Sequence, residues 1–234
     1  MTYHVYTSDA FVITSRPSKD ADVSVLVFTE EYGLLYAIAK SARQLRSKQK
    51  YALQSLSYSS ISLVKGREVW RITSVKKYIS LYDKRIALEF RTLFARILAS
   101  IDRFCPREQK EPEIFALLKH ISAFVFKDLS GETTYVPDIP AIECYFLLNM
   151  FYELGYVTRY QDELPRENQL HNHDESSHQV ESRHSDKQHQ QVEIEGTHVI
   201  GTPLSHEILA YFRDPLHVQH VEKIIEKAIR ESHL

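Results

Sequence analysis

Five basic side chains lie within eleven residues near position 45, and no acidic residue separates them. They are Lys40, Arg43, Arg46, Lys48 and Lys50. The apolar run 34–39 leads into this stretch and Tyr51 follows it, a pattern typical of a strand that ends in a basic connection. Clustered Lys and Arg side chains attract polyanions, so the stretch predicts contact with nucleic-acid phosphates. A charge run that stands alone is more often a solvated loop, and its neighbours decide between the two.

A second group of cations follows in the same N-terminal segment and extends the predicted path. The cations of this group that we assign to the predicted nucleic-acid-binding site are Lys65, Arg67 and Arg71. Lys76 and Lys77 come shortly after them. Exposed rings beside cations stack on bases, which makes Tyr36 and Tyr51 the candidate stacking residues. We expect Trp70 to be packed instead, because a small barrel needs large side chains inside.

The remaining polar patterns predict neither catalysis nor a metal cofactor. The sequence contains no GxSxG, P-loop, GxGxxG or HExxH motif, so we expect that the protein is not an enzyme. Five histidines between residues 171 and 189 have loose spacing and no cysteine among them, so we predict no specific metal site there. The Glu30-Glu31 pair lies in a predicted turn, where solvation is the expected role.

Composition describes an ordinary globular chain with an uneven charge. Residues 1–82 contain 12 Lys and Arg against 6 Asp and Glu, a net charge of +6, whereas the rest carries −8. A polyanion is therefore expected to meet the first part. The absence of a long apolar segment and of a signal-like start predicts a cytoplasmic protein without membrane contact. Cys105 and Cys144, the two cysteines, fit core packing in a reducing compartment.

The elements that would position the basic stretch are five short strands. Apolar or alternating runs begin near residues 10, 23, 34, 56 and 68, with turn signals between them. The alternation slips at Ser59-Ser60, which a β-bulge would explain. Five strands in about 75 residues predict an OB-fold barrel over residues 1–80.

Helical spacing replaces strand spacing after residue 82, which predicts an α+β protein with an all-α part. Helices are expected from Asp83 to Pro106, from Pro112, and from Pro140 to Gly155. Ser205 and Asp214 are predicted caps of two further helices. These signals place a helical domain over 81–160 and 199–234. Residues 161–198 are rich in His and Gln and poor in aliphatic side chains, so we expect a disordered insertion.

The order of these features resembles the RecO family of recombination-repair proteins. The resemblance rests on five segments, listed by residue: 10–13, 28–35, 40–47, 53–55 and 146–156. Ser41 replaces the usual glycine of the basic stretch, and Ser55 replaces the usual proline. Many members carry a four-cysteine zinc module after the Gly-Tyr of the third helix. Here the His- and Gln-rich insertion stands in its place, so the chain is similar to a variant without that module.

The resemblance implies a non-enzymatic role in DNA repair and recombination. It implies binding of single- and double-stranded DNA, annealing of complementary strands, and action as a recombination mediator that helps to load recombinase. The implied partners are a RecR-like protein and the C-terminal tail of single-strand-binding protein, and the implied location is the nucleoid. A protein-interaction scaffold and an RNA-binding OB-fold protein remain the alternatives that the sequence leaves open.

Overall fold

The computed structural model of the chain describes residues 4–47, 49–80, 86–129, 138–157 and 200–231. These residues belong to two compact units, 1–139 and 140–234. The domain limits predicted from the sequence, with a helical domain that begins at residue 81, stay a prediction. The predicted insertion at 161–198 lies outside the described residues.

Five strands form a closed barrel in the first unit. They are β1 (Tyr6–Pro17), β2 (Val23–Thr29), β3 (Gly33–Ala39), β4 (Ser57–Lys65) and β5 (Trp70–Ser80). The strand order around the barrel is β1-β2-β3-β5-β4. The β3–β5 pairing is parallel and short, from Ala37 opposite Trp70 to Ala39 opposite Ile72. This barrel confirms the predicted OB-fold, and the following helices confirm the α+β class.

Two buried serines inside the barrel explain the slip in the apolar alternation of β4 that the sequence shows at Ser59-Ser60. A four-residue helix, α1 (Gln49–Ala52), connects the basic stretch to β4. Ser57 and Ser59 face inward and donate hydrogen bonds to the carbonyl oxygen of Ala52, at 2.9 and 3.1 Å. These bonds satisfy the end of α1, which would otherwise be buried without partners. Tyr58 consequently points outward, and the pairing of β4 with β5 shifts register beside Ser59.

The turn before β5 is longer than the sequence predicts. Gly66 donates its backbone N–H to the carbonyl of Val69 at 3.0 Å, which closes a loop through residues 67–68. β5 therefore begins at Trp70, two residues after the predicted start, and continues to Ser80. Trp70 is buried as expected, with 5% of its surface exposed.

Two helices of the first unit contribute to covering the outer surface of β1–β3. They are α2 (Leu88–Phe104) and α3 (Pro112–Leu129), which begins at Pro112 as predicted. The Phe115 ring of α3 lies 5.5 Å from that of Phe11 and 5.6 Å from that of Phe28. Asp83, the predicted cap of the first helix, lies outside the described residues, and Ala87 occupies the cap position of α2.

The linker between α2 and α3, residues 105–111, lies against the start of β3. Glu108 donates its N–H to the carbonyl of Leu34 at 2.9 Å. Gly33 has a φ of +65°, and a Cβ there would lie 1.7 Å from the carbonyl oxygen of Gln109. Only glycine fits this position, because any side chain would collide with the linker backbone.

The second unit contains three helices among its described residues: α4 (Ile139–Glu153), α5 (His206–Tyr211) and α6 (Pro215–Glu231). Asn149 of α4 accepts a hydrogen bond from the N–H of Gly201 at 2.7 Å. The Tyr145 hydroxyl donates to the carbonyl of Thr202 at 2.6 Å, and burial raises the pKa of this hydroxyl to about 12. These bonds join two segments that are far apart in sequence. Ser205 and Asp214 accept capping hydrogen bonds from Ile208 and Leu216, as predicted.

Candidate nucleic-acid interface

The basic stretch forms the connection from β3 to α1, which we call the basic loop (residues 40–50). Asp22 accepts a hydrogen bond from the N–H of Ser41 at 2.8 Å, and the N–H of Arg43 donates to the carbonyl of Ala21 at 2.9 Å. Ala42 is fully buried in the barrel core. The loop backbone is therefore fixed to the β1–β2 turn, which orients the flanking side chains toward solvent.

Ser41 explains one departure from the family pattern. Its φ is +55°, a left-handed conformation that glycine adopts without cost. Ser41 stands where the family resemblance has glycine, so the backbone keeps the geometry that a glycine would favour. Ser55, which stands in the place of the usual proline, accepts a hydrogen bond from the N–H of Ser15 in β1 at 3.1 Å.

The described cations of the basic loop are all exposed. They are Lys40, Arg43, Arg46 and Lys50. None of these four forms an ion pair within the part of the chain that the structure describes. Lys48, the fifth predicted contact, lies outside the described residues. Side chains without an acidic partner keep their full charge available for a phosphate.

The predicted cations of the β4–β5 hairpin lie in different surroundings. Arg71 is exposed beside the end of β3, because β5 places it opposite Ile38. Arg67 is exposed in the hairpin turn. The Lys65 ammonium lies 3.0 Å from the Glu108 carboxylate and 5.0 Å from the Trp70 ring centroid. Its hydrogen bond to Glu108 holds the pKa of that carboxyl below the usual 4.5. Unlike the described cations of the basic loop, Lys65 therefore already has an acidic partner.

The two candidate stacking residues are both exposed, and each has a cation over its ring. Tyr36 is 55% exposed, and the Arg107 guanidinium lies 5.2 Å from its centroid. Tyr51 is 61% exposed, with the Lys50 ammonium at 5.9 Å. An exposed ring with a neighbouring cation is the arrangement used to bind unpaired nucleotides.

We call the surface around the linker the linker side of the first unit. Its ion pairs were not predicted, because the paired residues are distant in sequence. Lys110 lies 2.8 Å from the Glu31 carboxylate, and this hydrogen bond raises the pKa of Lys110. Lys119 lies 4.0 Å from the Glu30 carboxylate. The Glu30-Glu31 turn, expected to be solvated, thus meets two lysines. The alternating basic and acidic residues of the linker were the sequence signal that could have indicated ion pairs there.

No group of His, Cys, Asp and Glu side chains among the described residues is arranged to hold a metal ion. The histidines between 171 and 189 lie outside those residues. Within the same part of the chain, no helix combines the length and apolarity needed to cross a membrane.

Comparison with known proteins connects the barrel to a family. A family model described as "Recombination protein O N terminal" matches residues 1–78. The "DNA repair protein RecO" of Desulfitobacterium hafniense is 27% identical over 155 residues, which cover 66% of this chain and 54% of that protein. The same-named protein of Thermodesulfovibrio yellowstonii is 30% identical over 133 residues, 54% of this chain and 51% of that protein.

A third relative, the "DNA repair protein RecO" of Dehalococcoides mccartyi, is 27% identical over 115 residues, 49% of this chain and 46% of that protein. The chain spans about half the length of the curated relatives it matches. The matched segment contains β1 to β4, the basic loop and β5 as far as Tyr78. With two cysteines in its full sequence, the chain has no four-cysteine zinc module. The N-terminal part of this chain is therefore similar to the N-terminal part of proteins named DNA repair protein RecO.

Proposed function

We propose that this chain is a DNA repair protein that binds single- and double-stranded DNA and anneals complementary strands. In this proposal it also assists recombinase loading, together with a RecR-like protein and the C-terminal tail of single-strand-binding protein. The observation that carries the proposal is the basic loop, whose four described cations are exposed and lack acidic partners. The names of the matched relatives support a role in repair.

Binding through this loop is expected to be independent of base sequence. The loop offers Lys and Arg side chains, which neutralise phosphates and release counterions. Neutralisation also serves annealing, because two complementary strands repel each other until part of their charge is compensated. The exposed rings of Tyr36 and Tyr51 would hold unpaired bases close to the cations.

The first experiment compares R43A/R46A with the wild-type protein in binding to a fluorescent oligonucleotide. Each lost phosphate contact on single strands reduces the salt slope by about 0.7, so the slope should fall by about 1.4 and the affinity roughly 25-fold at 0.1 M salt. K110A/K119A is the matched control, since it removes the same charge from residues that already have acidic partners. Equal losses in both variants would contradict the assignment to the basic loop.

The second experiment measures annealing of complementary strands, with and without a coat of single-strand-binding protein. The proposal predicts acceleration over buffer in both conditions and slower annealing by R43A/R46A. A protein-interaction scaffold would not accelerate annealing. Marked preference for RNA over DNA of equal length would instead favour the RNA-binding alternative.

A further inference from the structure

The outer face of the OB barrel is open over only part of its circumference. Leu26, Phe28 and Leu34 point outward on β2 and β3, yet all three are buried, under α3 and the linker in the case of Phe28 and Leu34. A strand of nucleic acid cannot lie along this covered part. β4 and β5, by contrast, carry an outward row of polar and charged side chains, including Ser60, Arg71 and Lys76.

Charge distinguishes the β4–β5 face from its surroundings. Residues 57–65 and 70–80 contain no acidic residue, while Arg71 and Lys76 are exposed along β5. Neither cation forms an ion pair among the described residues. The neighbouring acid, Asp9 of β1, accepts a hydrogen bond from the Tyr58 hydroxyl at 2.8 Å. This carboxylate limits the positive surface on the β1 side.

Tyr78 provides an exposed ring on this face, and neighbouring aromatic rings pack behind it. It is 45% exposed, and its centroid lies 5.3 Å from that of Tyr58. Tyr58 stacks on the buried ring of Phe11 at 4.6 Å, and Phe11 contacts Phe115 at 5.5 Å. The row of rings therefore supports Tyr78 from the core outward.

The Lys76 ammonium lies 5.9 Å from the Tyr78 centroid. Lys50 and Tyr51 form the same kind of pair at the end of the basic loop. The side-chain amide of Gln49 donates to the carbonyl of Thr73 at 3.2 Å, so the helix that carries Lys50 lies against β5. The packing of α1 against β5 thus connects the two Lys–Tyr pairs.

We propose that the outward face of β5 binds an unpaired nucleic-acid segment that continues from the basic loop. Tyr78 stacks on a base, and Lys76 and Arg71 contact phosphates. The distance from Arg71 to Tyr78 is roughly 23 Å at the rise of a β-strand, which is enough for several nucleotides. The proposal rests on the proposed function, because it extends the same binding site.

The test uses Y78W, which adds an exposed indole to a protein whose single tryptophan is the buried Trp70. Addition of a 20-nucleotide thymidine oligomer should quench the new fluorescence, while a 20-base-pair duplex, whose bases are already stacked, should not. In parallel, Y78A should bind the oligomer roughly 5- to 100-fold more weakly, and Y78F should bind like the wild type. Thermal unfolding of each variant checks that the barrel is intact.

Absence of quenching by an oligomer that binds, as followed by anisotropy, would overturn the inference. So would unchanged affinity of Y78A. If Y78A binds normally while R43A/R46A loses affinity, the proposed function stands and the β5 path is wrong. If the wild-type protein does not bind the oligomer, the proposed function itself fails.

Discussion

Lys40 and Lys110 both lie on exposed connections of the first unit, near opposite ends of β3, but only Lys110 has a carboxylate partner. The basic loop follows the last residue of β3, and the linker lies against Leu34 at its start. Cations of the linker side are paired: Lys110 with Glu31, Lys119 with Glu30, and Arg107 with Asp102. Cations of the loop side have no such partners in the part of the chain that the structure describes.

The difference shows that local charge density does not by itself identify a binding surface. The linker side joins helices to the barrel, and its charges are matched within the chain. Pairs at such exposed positions contribute little stability, typically below about 1 kcal/mol. The loop side leaves its charge unmatched, so that charge remains exposed to solvent and available to a polyanion.

Gly33→Ala should have the largest effect on stability, because it disrupts the close backbone contact between β3 and the linker. A Cβ would collide with the carbonyl of Gln109, and the alanine backbone would have to adopt a left-handed conformation. We expect the free energy of unfolding to fall by roughly 2–4 kcal/mol, as measured by denaturant titration.

Gly155→Ala is the matched control for that substitution. Gly155 has a φ of +78°, but among the described residues a Cβ there would meet no atom within 4 Å. Only the backbone strain of about 1 kcal/mol should appear. If Gly33→Ala costs no more than Gly155→Ala, the linker is not held tightly against the barrel.

Glu108→Gln should convert a paired cation into a free one. Release of Lys65 adds one phosphate contact, so affinity for single-stranded DNA should rise about fivefold at 0.1 M salt and the salt slope should steepen by about 0.7. The measurement is anisotropy over a salt series, and Glu111→Gln is the control. Unchanged affinity would remove Lys65 from the interface.

The same pair predicts a pH dependence. The pKa of Glu108 is lowered in the folded protein, so its contribution to stability is present above the unfolded value of about 4.5 and is lost as pH falls through the folded value. Acid unfolding curves of the wild type and Glu108→Gln should converge at low pH. A constant difference across that range would show that the pair does not respond to Glu108 titration.

Ser41→Gly tests the strain of the basic loop. Glycine adopts a φ of +55° freely, so the substitution should stabilise the first unit by up to about 1 kcal/mol, with part of the gain lost to the greater freedom of the unfolded chain. DNA affinity should not change, since the cations keep their positions. Calorimetry and anisotropy on the same samples check both expectations, and destabilisation would contradict the loop geometry.

Lys119→Ala should have the smallest effect. Its ammonium lies 4.0 Å from Glu30, and both side chains are about half exposed. We expect a change in the free energy of unfolding below about 0.5 kcal/mol. A larger loss would mean that the linker side depends on its charges as well as on backbone contacts.

Local pattern alone predicted much of this protein. Alternation and turn residues determined the five strands of the barrel, and three-and-four spacing determined the helices, because burial on one face imposes these periods. Pro112, Ser205 and Asp214 mark helix starts through their own backbone or side-chain chemistry. The basic loop was visible because its five cations are adjacent in the chain.

Tertiary structure decided which of the charges and rings have partners. Lys65 and Glu108 are 43 residues apart and Lys110 and Glu31 are 79 apart, so no local pattern could pair them. Tyr58 points outward because Ser57 turns inward to satisfy the end of α1, a contact that exists only once the barrel closes. The sequence determined where positive charge accumulates, and the closed barrel with its linker decided which of that charge remains unpaired, because ion pairing depends on distance in space.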